Sequence, residues 1–325
     1  MPPKRRAANE TSSTKKAKRK KSKPSGPPPH DKLWFSDGSI VLETDVHLYR
    51  VHKSMLAKYS TVLSDMFEIP SGDSNSDCWE DSDVPIVKMV GDKDDEVCVL
   101  LEALYDRNFG DTLHELEIPA LTSLLSISTK YDFQDIQADV MQFLLTRFPN
   151  KLEDFVKTRN LWNSYDIDEV FALLVVAHRS DALKILPALY YLCARFPLET
   201  ILDYLPTLPP DCMRSLLLGR DWLYEVAHRI TQRSILSMQV GVQSRTDVTM
   251  QCSEKLRARL SESSITLVFD MPDRGILEGV NVKHSGICNG CTDRYIGLLG
   301  RLKAFYWDHL PQKFLNKNWK ELNRT

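Results

Sequence analysis

The stretch HSGICNGC (284–291) holds the residues best suited to chemistry. Cys288 and Cys291 are separated by two residues, so their thiolates can turn toward one ion, and His284 lies within reach. Cys252 is the expected fourth member, because structural zinc takes four soft ligands in a tetrahedron. Four protein ligands would leave no open position for catalysis, so the chemistry implied is structural. The same octapeptide also fits a glycine-rich turn with free cysteines, and the sequence leaves both readings open. No other cofactor is expected.

A second stretch, HLYRVHKSMLAKYSTVLSDMF (47–67), mixes two histidines with two lysines and serines. Nucleophilic catalysis needs a serine or cysteine beside a base that a third group orients. His52 and Ser54 share a side only while the chain stays extended, and a helical pattern begins at Lys53. GxSxG, HExxH and GxxxxGK[ST] are all missing from the sequence. Cys98 and Cys193 sit in apolar helical runs and are expected as small core residues, while Cys78 falls in a loop. The expectation is a noncatalytic protein.

These residues need elements to position them. Leu33–Phe35 predicts a short strand, SDG (36–38) a turn, and Ser39–Thr44 a second strand that continues into a hairpin. From His47 to His52 the residues alternate, with His47, Tyr49 and Val51 on one face. From Lys53 the apolar positions take helical spacing, and Ser60 is placed to cap a second short helix. The segment 71–83 is an acidic loop by composition, PIVKMV (85–90) a strand, and 95–106, 118–132 and 133–148 are helices, the middle one opening at Pro119. The second half is helical: 168–180, then 182–196 with Pro187 bending or breaking it, then 211–235, 252–261 and 293–310. The fold class expected is α+β for 31–149, followed by an all-α region over 150–325.

Composition sets the context. The chain has 325 residues, seven cysteines and a net charge of −2. No apolar run reaches the length of a transmembrane helix, and the start of the sequence has no signal-peptide core. The odd cysteine count without such a leader fits a reducing compartment. The charge is split: residues 1–23 carry ten basic residues against Glu10, a net +9, which leaves −11 for the remainder. Residues 1–30 are expected to be a disordered basic tail ending in the proline-rich linker KPSGPPPH. Lys4, Arg5 and Arg6, then Lys15, Lys16, Lys18, Arg19, Lys20 and Lys21, resemble a bipartite nuclear-import signal, two clusters of point charge suited to acidic grooves. Such a tail can touch phosphates by charge alone but cannot select a sequence, and no zinc-finger pair, homeodomain helix or basic zipper accompanies it.

The quoted segments DKLWFSDGSIVLETD, LYRVHKSMLAKYSTVLSDMFEIP and VPIVKMV, in that order, resemble the BTB/POZ domain, and in particular the BTB-domain proteins common in mushroom-forming fungi. The resemblance covers about residues 31–148. Tyr49 stands where phenylalanine is usual and Leu63 where an aromatic is common. The resemblance implies a BTB/POZ-like domain and a protein-interaction role, with dimerisation through Leu33, Trp34 and Phe35 of the first strand and Met55, Lys58 and Tyr59 of the first helix. It also marks His52-Lys53 as a fold signature. The expected function is a noncatalytic nuclear scaffold that binds protein partners and pairs with itself. The alternative is a substrate adaptor for a cullin-type ubiquitin ligase. Neither membrane association nor sequence-specific nucleic-acid binding is expected.

Overall fold

The computed structural model describes residues 26–69, 84–240, 247–262, 268–270 and 287–324. The basic tail and the acidic loop at 71–83 lie outside them. The chain opens with β1 (Pro29–Trp34), β2 (Ile40–Glu43), β3 (Leu48–Val51), α1 (Lys53–Tyr59), α2 (Thr61–Glu68) and β4 (Ile86–Lys88). The strands form one four-stranded sheet in the order β1-β3-β2-β4. β2 and β3 are the expected antiparallel hairpin, with Ile40 opposite Val51, whereas β1 runs parallel to β3 and β4 parallel to β2. β1 begins at Pro29, inside the expected linker, where a proline is tolerated as the first residue of an edge strand.

The expected alternation along β3 fails at Leu48, which is buried along with Tyr49 and Val51. Both faces of this interior strand are covered near its start, so period two does not show. Gly38 closes the β1–β2 turn because a side chain there would meet the Arg50 backbone and side chain, with the nearest atom 2.7 Å away. Arg50 Nε donates to the Gly38 carbonyl across that gap.

The strand-to-helix junction is held by side chains from outside α1. The His52 side chain does not cap α1. Instead its backbone N–H donates to the Tyr105 hydroxyl, Nδ1 lies 3.0 Å from the same hydroxyl, and Nε2 lies 3.3 Å from Asp37 Oδ2. The Lys53 N–H donates to Ser39 Oγ. Distant side chains thus serve this junction, which local reasoning along the chain does not reach. Ser60 does cap α2, accepting from the Leu63 N–H while donating to the Tyr131 carbonyl.

Helices make the rest: α3 (Asp94–Tyr105), α4 (Phe109–Thr112), α5 (Ile118–Lys130), α6 (Gln134–Arg147), α7 (Leu152–Lys157), α8 (Arg159–Trp162), α9 (Ile167–Arg179), α10 (Leu186–Ala194), α11 (Leu198–Tyr204), α12 (Pro210–Val240), α13 (Asp247–Glu262), α14 (Asn289–Asp308), α15 (Leu310–Leu315) and α16 (Trp319–Leu322). Pro187 starts α10 rather than breaking a longer helix, since a proline in the first turn removes an amide that has no intrahelical acceptor. α5 packs on α3 on one side and on α9 on the other, so one buried cluster crosses the expected boundary at 149. α12 is the spine of the C-terminal half, with α10, α13, α14 and α15 against it. α10 is buried along its whole length. Among the described residues no helix is long and apolar enough to cross a membrane.

Candidate functional site

The helix start at 289 explains why CxxC gathers two sulfurs. Cys288 is the N-cap of α14, in extended conformation, and Cys291 is the third helical residue. Side chains at the N-cap and at the third helical residue face each other at a helix start, the geometry a capping box uses. The Cys288 carbonyl accepts from the Cys291 and Thr292 amides. Gly290 is therefore a first-turn helical residue with open space where a side chain would go, and the turn role expected of a glycine is not needed there. Cys252, on α13, comes from 36 positions away, and its sulfur accepts from the Cys288 N–H at 3.4 Å.

The three sulfurs lie within 4.8 Å of one another. Cys252 and Cys291 are buried and Cys288 faces solvent. All three are free thiols. The Cys291 N–H at the Cys288 sulfur pulls that thiol below its ordinary value, helped by the neighbouring sulfurs and the Gly290 N–H against the opposing effect of burial. Burial pushes the Cys291 thiol up, and Cys288 and Cys252 add to the rise. His284, the remaining expected ligand, lies outside the described residues. The other buried thiols, Cys193 and Cys212, are held protonated mainly by burial, as small core residues are.

The expected interaction residues divide. Leu33 points inward at 4 % exposure and belongs to the core, which removes it from any contact surface. Trp34 at the end of the strand and Phe35 just after it are half-buried, and Phe35 stacks on Tyr105 with ring centres 4.8 Å apart. Met55 and Tyr59 are half-buried and Lys58 is exposed, its Nζ donating to the Tyr59 hydroxyl. Tyr59 also lines a groove of about 190 Å³ with Leu104, Phe133, Ile136 and two aspartates, Asp135 and Asp139. The import residues Lys4 to Lys21 lie outside the described residues.

The best-connected polar site was not singled out from the sequence. Asp94, at the start of α3, accepts from Thr44 Oγ1, His47 Nδ1 and the Tyr49 hydroxyl at 2.5, 2.8 and 2.9 Å. Burial alone would raise this carboxyl, but the Thr44, His47 and Tyr49 bonds together hold it below its ordinary value. Thr44 also accepts from the Val46 and His47 amides, so the carboxylate ties the hairpin turn to the helix. A signal was present: an acidic first turn, DDE at 94–96, stabilises a helix start. Beside it, His30 stacks on Tyr49 and places Nε2 3.7 Å from Cys98 Sγ. His30 Nδ1 accepts from the Lys32 and Leu33 amides, so the ring proton sits on Nε2 and faces the sulfur. That tautomer donates and cannot take the thiol proton. Burial and then the nearby Glu102 charge also raise the Cys98 thiol. No protein-family model, no curated protein and no solved structure matches the chain.

Proposed function

We propose that this chain is a noncatalytic protein-interaction module of BTB/POZ type that acts as a nuclear scaffold and pairs with a second copy of itself. The observation that carries the reading is the surface at the end of the sheet. β1 is an edge strand, and Phe35 just after it contacts His52 at the start of α1, with ring centres 5.3 Å apart. Trp34, Met55, Lys58 and Tyr59 each keep part of their surface in solvent. His30 already takes the Lys32 and Leu33 amides, so the contact rests on side chains rather than on strand addition to β1. The order of hairpin, paired helices α1 and α2, returning strand β4 and helices α3 to α6 supports the BTB/POZ reading. The Cys98–His30 tautomer supports the noncatalytic reading, because the one thiol–imidazole contact described is set against proton abstraction.

The test is the molar mass of the full chain by light scattering across micromolar concentrations. A mass twice that of one chain is expected for the wild type, with a return to one chain in Met55→Glu/Lys58→Glu. A wild-type monomer throughout refutes the pairing. In cells, a fluorescently labelled chain should be nuclear and lose that location when the lysines and arginines at 4–6 and 15–21 become alanine. Equal distribution of the two forms would remove the nuclear part. Recovery of a cullin with the purified chain would replace the scaffold reading by the adaptor reading.

A further inference from the structure

We propose that Cys252, Cys288 and Cys291 bind one Zn²⁺ as thiolates, with a solvent water at the fourth corner beside exposed Cys288, forming a centre that clamps α13 to the N terminus of α14 against α12. Each half of the site is held before any metal arrives. Cys288 and Cys291 are fixed by the first turn of α14, and Cys252 by α13, whose Leu256 is fully buried and which packs on α12. α14 packs on α12 as well, with Tyr295 and Leu299 buried. The sulfurs are thus brought together by two helices that share one support rather than by a flexible loop.

The geometry suits zinc. Zn–S bonds of about 2.3 Å in a tetrahedron set sulfurs about 3.8 Å apart. The observed sulfurs lie within 4.8 Å of each other, so side-chain rotation of about 1 Å completes three corners. A disulfide uses two thiols at about 2.0 Å and would strand the third beside it. Three convergent soft donors, two of them buried, favour a thiophilic divalent ion over that pairing. Cys288, exposed, gives the ion a way in from solvent. Binding is not a redox step: Zn²⁺ displaces the thiol protons to solvent, up to three of them, and three Zn–S bonds form.

The experiment is metal analysis of the full chain purified under reducing conditions with zinc present, alongside cobalt substitution. One zinc per chain is expected, and the cobalt form should show thiolate-to-cobalt charge-transfer absorption. Cys252→Ser should lose most of the zinc and weaken that absorption, while Cys98→Ser, which removes a thiol outside the cluster, should keep both. Should Cys252→Ser fail to fold, the wild-type chain still decides the matter. Less than about a tenth of a zinc per chain together with no thiolate–cobalt band would overturn the assignment.

Discussion

Replacing Asp94 by alanine should lower stability by about 3 kcal/mol at pH 7. The carboxylate accepts three hydrogen bonds, and a bond to a charged group contributes about 1.5–3 kcal/mol. The full sum is not expected, because two donors keep a second acceptor: Thr44 Oγ1 can still reach the His47 carbonyl, and the Tyr49 hydroxyl lies 3.4 Å from the Asp94 carbonyl. His47 Nδ1 is left facing the void. Loss of a negative charge from the first turn of α3 adds about 0.5 kcal/mol. Asp94→Asn, which keeps one oxygen, should cost about half as much. The sign of the pH dependence follows from the lowered carboxyl. Its contribution is fully present above the unfolded carboxyl value of about 3.9 and is lost as pH falls through the lower folded value. Urea unfolding of wild type and both variants at pH 7, 5 and 3 measures this. The gap between wild type and Asp94→Ala should be narrower at pH 3 than at pH 5. A gap under about 0.5 kcal/mol at pH 7, or one unchanged at pH 3, would refute the reasoning.

Two further perturbations probe the C-terminal packing. Phe269 sits at 1 % exposure between Tyr191 and Trp307, its carbonyl held by Arg159 and Lys303, so Phe269→Ala should cost about 3–5 kcal/mol in urea unfolding. A loss below about 1 kcal/mol would mean that the short turn at 268–270 is not part of the core. Gly219→Ala in α12 sets two effects against each other: alanine favours the helix by about 1 kcal/mol, but its methyl would lie 2.0 Å from the Phe314 ring. That ring is itself stacked on Tyr190, with centres 5.0 Å apart, and cannot retreat freely. Overpacking should win, for a net loss of about 1–2 kcal/mol that Phe314→Leu partly restores in the double variant. A stabilised Gly219→Ala would show that α15 yields.

What the sequence determined by itself is local. The change from strand to helix after His52, the Ser60 cap, the proline at the start of α5 and the meeting of Cys288 with Cys291 all follow from residues within four positions of one another. Backbone sterics and free helix-end amides act over that range, so residue type and spacing are enough. Where a local rule was misapplied, as at Pro187, the same physics supplies the correction: a proline blocks a helix interior but suits its first turn.

Only the tertiary structure decided the rest. The parallel pairing of β1 with β3 and the docking of His52 onto Tyr105 depend on which surfaces meet, and so does the turn of Leu33 into the core. Asp94 looks like any acidic helix start until the hairpin turn brings Thr44, His47 and Tyr49 to it. Cys252 is expected at the cluster from the sequence only as the remaining soft ligand; its place beside Cys288 is set by two helices leaning on α12. Gly219 appears as a weak point in a good helix, and its reason is the Phe314 ring from the far end of the chain. Contacts between distant segments are chosen by close packing and by the pairing of buried polar groups, and both depend on all the surrounding side chains at once.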